Sequence, residues 1–156
     1  MAVQLAVARG ARVIGTASSA RQDVVRALGA EPVTYGDGLA DRVRSLAPNG
    51  VNAAIDTVGT DEAIDVSLQL VADRSRVATI AAFARGVESG IKVLGGGPRA
   101  DPGNDIRNAA RLELVDLVAA DKLSVTVAAT YPLTQVVDAQ RAIMTGHTTG
   151  KIILVP

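Results

Sequence analysis

The segment Thr16-Ala17-Ser18-Ser19-Ala20-Arg21 joins small hydroxyl side chains to an arginine, and no Asp or Glu stands between Val13 and Gln22. That set suits a phosphate, because a guanidinium and hydroxyls can all donate to its oxygens. Where such a segment ends a strand of a dinucleotide-binding fold, it meets the adenosine ribose. An acidic residue at that point bonds the 2′-hydroxyl and selects NAD. Hydroxyls with a nearby arginine leave room and positive charge for a 2′-phosphate and select NADP. Ser18, Ser19 and Arg21 are therefore candidates for a 2′-phosphate pocket. The plainer reading of the same residues is a serine that caps a helix beside a solvated arginine.

A second candidate is Ile55-Asp56-Thr57-Val58-Gly59. Ligands of open α/β sheets sit at the carboxyl ends of strands. Gly59 would let the backbone approach a ligand, and Val58 would offer an apolar wall. The competing reading is a strand-to-helix turn that merely needs glycine. Thr79-Ile80-Ala81-Ala82-Phe83 ends the next apolar run and would face the same cleft, with backbone groups able to bind a carboxamide. Lys151 could reach a cofactor phosphate or be solvated.

Other segments carry less. Gly95-Gly96-Gly97-Pro98 lacks the lysine-serine or lysine-threonine ending of a phosphate loop, and Pro98 removes a donor amide, so it reads as a flexible connection. His147 has no evident carboxylate partner and reads as a surface turn residue. Tyr35 is followed by Leu39 and Tyr131 by Gln135 four residues on, so no Tyr-x-x-x-Lys pair is present. A Gly-x-Ser-x-Gly elbow is also absent, which argues against a hydrolase of that type.

The elements that must position these residues alternate along the chain. Met1–Arg9 reads as helix, stopped by Gly10, and Ala11–Thr16 as a buried strand. Ser18 or Ser19 can cap a helix to about Leu28, with Val24, Val25 and Leu28 inward. Pro32–Tyr35 reads as a strand, and Gly36-Asp37-Gly38 turns into a helix with Leu39, Val43 and Leu46 on its apolar face. Val51–Val58 is a strand. Asp61 can cap the next helix, with Ala63, Ile64, Leu68 and Leu70 inward. Arg76–Ala81 and Val87–Leu94 read as strands, with a bend at Gly90. Asp105–Asp121 reads as the longest helix, with Leu112, Leu114, Val115 and Val118 as its stripe. Val125–Thr130, Leu133–Met144 and Lys151–Val155 complete the pattern as strand, helix and strand. Such alternation implies a mainly parallel, doubly wound α/β sheet with helices on both faces, in a single domain over residues 1–156.

Composition narrows the function. Lys+Arg and Asp+Glu are 16 each, so nothing in the net charge draws nucleic acid or an anionic membrane. Aromatics at 2% cannot build a base-stacking platform. No cysteine and a single histidine leave few ligands for zinc. The lack of cysteine, of a signal-peptide pattern and of an apolar run near the roughly 20 residues of a membrane span points to a cytoplasmic protein.

These pieces, in this order, resemble the C-terminal part of medium-chain dehydrogenase/reductases, in the zinc-independent quinone oxidoreductase-like branch. The resemblance rests on Met1–Tyr35, Asp56-Thr57-Val58-Gly59, Tyr131-Pro132-Leu133 and Gly146-His147-Thr148-Thr149-Gly150-Lys151-Ile152. It implies NADPH-dependent reduction of a quinone or an activated carbon–carbon double bond, with the 2′-phosphate near Ser18 and Tyr35. It implies Val58 and Gly59 along the nicotinamide ribose, and Ile80 and Ala81 near the nicotinamide. The family often carries a lysine shortly after that serine, where this chain has Arg21 and Gln22. No residue is singled out as catalytic, since catalysis in this branch rests on placing cofactor against substrate. Dimers of the family form by edge-strand pairing, and the matching edge here is Gly90–Leu94.

Two parts of the family pattern are not in this sequence: the substrate-side domain, and the first strand with its glycine-rich loop. That strand lies at the centre of the sheet. Each buried backbone group it leaves unpaired costs on the order of 1–3 kcal/mol, so an isolated monomer is expected to be unstable or rearranged. A start assigned at an internal methionine, a truncation, or a partner chain that supplies the strand would each account for this. The expected function is the cofactor-binding part of an NADPH-dependent oxidoreductase acting on a small molecule. The alternatives are a non-catalytic nucleotide-binding or interaction module, and an inactive fragment.

Overall fold

The computed structural model describes residues 1–146 and 148–156; His147 and its expected turn lie outside the described residues. Helix α1 (Ala2–Ala8) leads to strand β1 (Ile14–Ala17), a 3-10 turn (Ser19–Arg21) and α2 (Gln22–Ala27). Then follow β2 (Glu31–Thr34), α3 (Leu39–Leu46), β3 (Ala54–Asp56), α4 (Asp61–Leu70) and β4 (Val77–Thr79). Helix α5 (Phe83–Glu88), β5 (Lys92–Val93), α6 (Asn104–Ala119), β6 (Val127–Pro132), α7 (Val136–Met144) and β7 (Lys151–Val155) complete the chain.

Among the described residues every strand pairing is parallel, as strand–helix–strand crossovers require, but the pairings form three separate sheets: β1-β2, β3-β4-β5 and β6-β7. Registers are regular, with Ile14 opposite Glu31 in the first pair and Ala54 opposite Val77 in the second.

The core sits under the second sheet. Ile64, Val71, Val77 and Ile91 are buried together, while Val33, Leu39 and Val43 form a second cluster beneath β2 and α3. The expected inward positions of α3 and of Ile64 hold. Glycines let two helices lie close to strands. A Cβ on Gly15 would come within 2.7 Å of Val25 Cγ1, and one on Gly86 within 2.7 Å of Thr79 Cγ2.

Four expectations are corrected. Val87 and Glu88 end helix α5 rather than open a strand, and only Lys92–Val93 pairs with β4. Gly86, a poor helix former, is the buried contact that seats α5 on β4. Gly90 (φ +66°) ends the segment instead of bending a strand. The cap of α4 is Thr60, whose Oγ1 accepts from Ala63 N at 3.3 Å, so Asp61 falls one position inside the helix. Val24 is exposed, and no residue of α2 is buried. Helix α6 buries none of its residues either: Leu112 is 76% and Val115 63% exposed.

The run at Gly95–Gly97 is built into the fold. The Phe83 ring lies against it, so that a Cβ on Gly97 would stand 2.5 Å from Phe83 Cδ1. Asp101 N donates to Val93 O at 2.8 Å, and Gly95 N to Asp101 O at 2.9 Å. These bonds cover part of the outer edge of β5. Val93 itself is buried.

The C-terminal elements are tied to α1. The Gln4 side-chain amide donates to Ser124 O at 3.0 Å and accepts from Ser124 N at 2.9 Å, as a strand neighbour would. Arg9 pairs with Glu113 at 3.1 Å on the exposed surface. No described helix is long and apolar enough to cross a membrane.

Candidate functional site

Parallel strands put their carboxyl ends on one edge of a sheet. The residues picked out in sequence fall at these ends: Ser18, Ser19 and Arg21 after β1, Tyr35 after β2, Val58 and Gly59 after β3, and Ile80 and Ala81 after β4. One hydrogen bond sets the two sheets' edges side by side. Gly36 N, just past β2, donates to Glu62 Oε2, in the first turn of α4, at 3.1 Å.

At the first of these ends, Ser18 is extended (φ −63°, ψ 158°) ahead of the 3-10 turn, and its side chain makes no cap bond. The capping reading of this serine therefore does not hold. Ser18 is half-buried, and Ser19 and Arg21 are exposed. The Tyr35 side chain is exposed at the neighbouring end. Its loop is fixed by two residues that the sequence did not single out. Arg42 donates to Thr34 O (2.7 and 3.0 Å), Gly36 O (2.9 Å) and Asp37 O (2.6 Å). Gln22 Nε2 donates to Thr34 Oγ1 at 2.8 Å, linking α2 to the end of β2.

The ends of β3 and β4 meet directly. Gly59 (φ +88°) brings its Cα so close to the second turn that a Cβ would sit 3.0 Å from Ala81 Cβ and 3.2 Å from Ala81 C. Beneath the two turns, Asp56 and Thr79 are buried and bonded, with Thr79 Oγ1 donating to Asp56 Oδ2 at 2.6 Å. Above them the apolar side chains of Val58 (70% exposed) and Ile80 (49% exposed) face outward. The result is a small apolar shelf on a fixed polar base.

The amides of this shelf are already used. Val58 N and Gly59 N donate to Asp56 Oδ1, Ala81 N and Ala82 N to Thr79 Oγ1, and Ile80 N to Asp56 O. Backbone donors are thus not free here for a carboxamide; the carbonyls of Val58 and Ile80 accept no hydrogen bond among the described residues. An aspartate closing an otherwise apolar strand was the available signal, since a buried carboxylate must find donors.

Lys151 is not brought to this group. It opens β7 in the separate β6-β7 pair, exposed, with its N–H on Thr126 O at 2.8 Å.

The description "zinc-binding dehydrogenase" belongs to the family model that matches residues 28–154. No match is found among curated proteins. Solved structures are similar over nearly the whole chain. A quinone oxidoreductase of Pseudomonas syringae pv. Tomato DC3000 is 29% identical with a TM-score of 0.74, over 99% of this chain and 52% of that one. A mycobacterial quinone oxidoreductase is 28% identical at a TM-score of 0.72, with 99% and 52% covered. A mycobacterial protein in complex with NADPH is 25% identical at 0.75, with the same coverage. This chain spans about half the length of each. The shared part is their Rossmann-like portion.

The described residues offer no zinc site. The chain has no cysteine and one histidine, and no group of three or more His, Asp or Glu that could hold a metal is found among the described residues. Nicotinamide nucleotide does fit: hydroxyls and an arginine lie at one end of the edge, and an apolar shelf at the other.

Proposed function

This chain belongs to the zinc-binding dehydrogenase family, and on that premise we propose that it is the cofactor-binding part of an NADPH-dependent oxidoreductase that reduces a quinone or an activated carbon–carbon double bond. The observation that carries the reading is the pair of locked turns at Gly59 and Ala81, with Val58 and Ile80 exposed above them. In this reading, Val58 and Ile80 pack against the nicotinamide and keep water from that face. Gly59 and Ala81 let the backbone run close to the ribose. Ser18, Ser19 and Arg21, with Tyr35 beside them, hold the 2′-phosphate by hydroxyl and guanidinium donors. Lys151 would join them only at a phosphate that extends toward β7. The bound cofactor supplies a hydride, and the chain's own residues orient it.

The expected result is tighter binding of NADPH than NADH, with Arg21→Ala weakening NADPH by about tenfold, the scale of one charge-assisted contact, and leaving NADH unchanged. Titration calorimetry on both cofactors checks this. Equal affinities in the wild type would remove the 2′-phosphate assignment.

The alternative reading is a nucleotide-binding module without turnover. Retained NADPH binding with no reduction of quinones would support it. For self-association we propose the β5 edge near Gly90–Leu94. Because Val93 is buried, a charge there tests folding. Sedimentation of the unaltered chain over a range of concentrations tests the edge: a mass that stays at 16.0 kDa would remove the proposal.

A further inference from the structure

We propose that Asp56 and Thr79 are positioning residues for the nicotinamide half of the cofactor, an inference that rests on the reading just given. They sit at the last positions of adjacent strands, paired with each other in register. Asp56 is 5% exposed and Thr79 0%. Asp56 Oδ1 accepts from Val58 N at 3.0 Å and Gly59 N at 2.9 Å, and Oδ2 from Thr79 Oγ1 at 2.6 Å. Thr79 Oγ1 in turn accepts from Ala81 N at 3.1 Å and Ala82 N at 2.9 Å. One carboxylate and one hydroxyl thereby draw four amides of two turns inward and join the turns to each other.

This arrangement has a chemical consequence for the ligand. With these amides turned in, the backbone groups that Val58 and Ile80 leave without a partner are acceptors, their carbonyls. Such a shelf suits a neutral group that donates, as a carboxamide or a ribose hydroxyl does, and disfavours an anion. No titratable side chain of the pair need touch the cofactor. Its role is to fix which backbone groups point out.

Removing the Thr79 hydroxyl breaks the chain of bonds at its centre. Thr79→Val keeps the shape, deprives Asp56 Oδ2 of its donor and leaves two amides without an acceptor. Thr79→Ser keeps the hydroxyl. The two are compared for binding of NADPH and of adenosine 2′,5′-bisphosphate, which lacks the nicotinamide and its ribose. In Thr79→Val, NADPH should weaken by about tenfold or more with the bisphosphate held within about twofold. Thr79→Ser should restore NADPH binding.

Equal weakening of both ligands, or of neither, in Thr79→Val would show a merely structural lock and overturn the proposal. Should Thr79→Val fail to fold, Asp56→Asn carries the same comparison, because its amide keeps one acceptor for the turn and loses the acceptor for Thr79. Failure of the wild type to bind either ligand would instead overturn the cofactor reading, and the positioning role with it.

Discussion

Replacing Ile64 by alanine should lower the free energy of unfolding by about 2–5 kcal/mol, the range for truncating a fully buried aliphatic side chain. Ile64 lies on the inner face of α4, has no exposed surface, and packs with Val71, Val77 and Ile91. Those neighbours come from the loop after α4, from β4 and from the approach to β5, so one cavity would loosen the whole second sheet. The side chains packed around it are aliphatic. A domain of this size has about 5–15 kcal/mol to lose, so the midpoint of urea unfolding should fall steeply. An exposed comparison, Leu112→Ala on α6, should move the midpoint little, because Leu112 is 76% exposed. A midpoint unmoved by Ile64→Ala would mean that the second sheet is not the seat of stability.

The contrast between Ile64 and Leu112 marks what sequence could show. Both sit at helical spacing among apolar residues. Periodicity tells that a helix has an apolar face; it does not tell whether anything covers that face. The α/β alternation, the parallel pairing and the last strand, Lys151–Val155, were legible because each depends on local pattern. Helix α5 was not, since Gly86 is a poor helix former in isolation. Within the helix it allows a close approach to the sheet, since a Cβ there would collide with Thr79 and Val93. The glycines at 95–97 likewise read as slack chain, and their role appears only beside the Phe83 ring.

The candidate site divides the same way. That Val58, Gly59, Ile80 and Ala81 fall at strand ends was readable, because a strand followed by glycine and a helix has few other forms. The direction of their amides was not. It follows from Asp56 and Thr79 facing one another across a strand pair, a relation between residues 23 apart. Arg42 was hidden for a similar reason. On a helix surface it passes for a solvated charge, yet its guanidinium gathers three carbonyls of the loop that carries Tyr35.

Gly59→Ala should weaken NADPH binding by about tenfold or more while the protein still folds. Two effects combine at this position. At φ +88° a side chain costs about 1–2 kcal/mol of backbone strain. In addition its Cβ would lie 3.0 Å from Ala81 Cβ, 3.2 Å from Ala81 C and 3.3 Å from Ala82 N. Two of those contacts are backbone atoms, and the second turn is held by Thr79, so the first turn must shift outward. That shift carries Val58 with it and disturbs the shelf. Gly50→Ala separates the two effects. Gly50 has φ +94° and nothing within 4 Å of a built Cβ, and it lies at the far end of α3. It should lose urea midpoint through backbone strain alone, less than Gly59→Ala loses, with NADPH affinity unchanged. Calorimetric titration of both variants decides the matter. Unchanged affinity in Gly59→Ala would place the cofactor elsewhere than on these turns. Equal losses in both variants would mean that affinity follows stability alone.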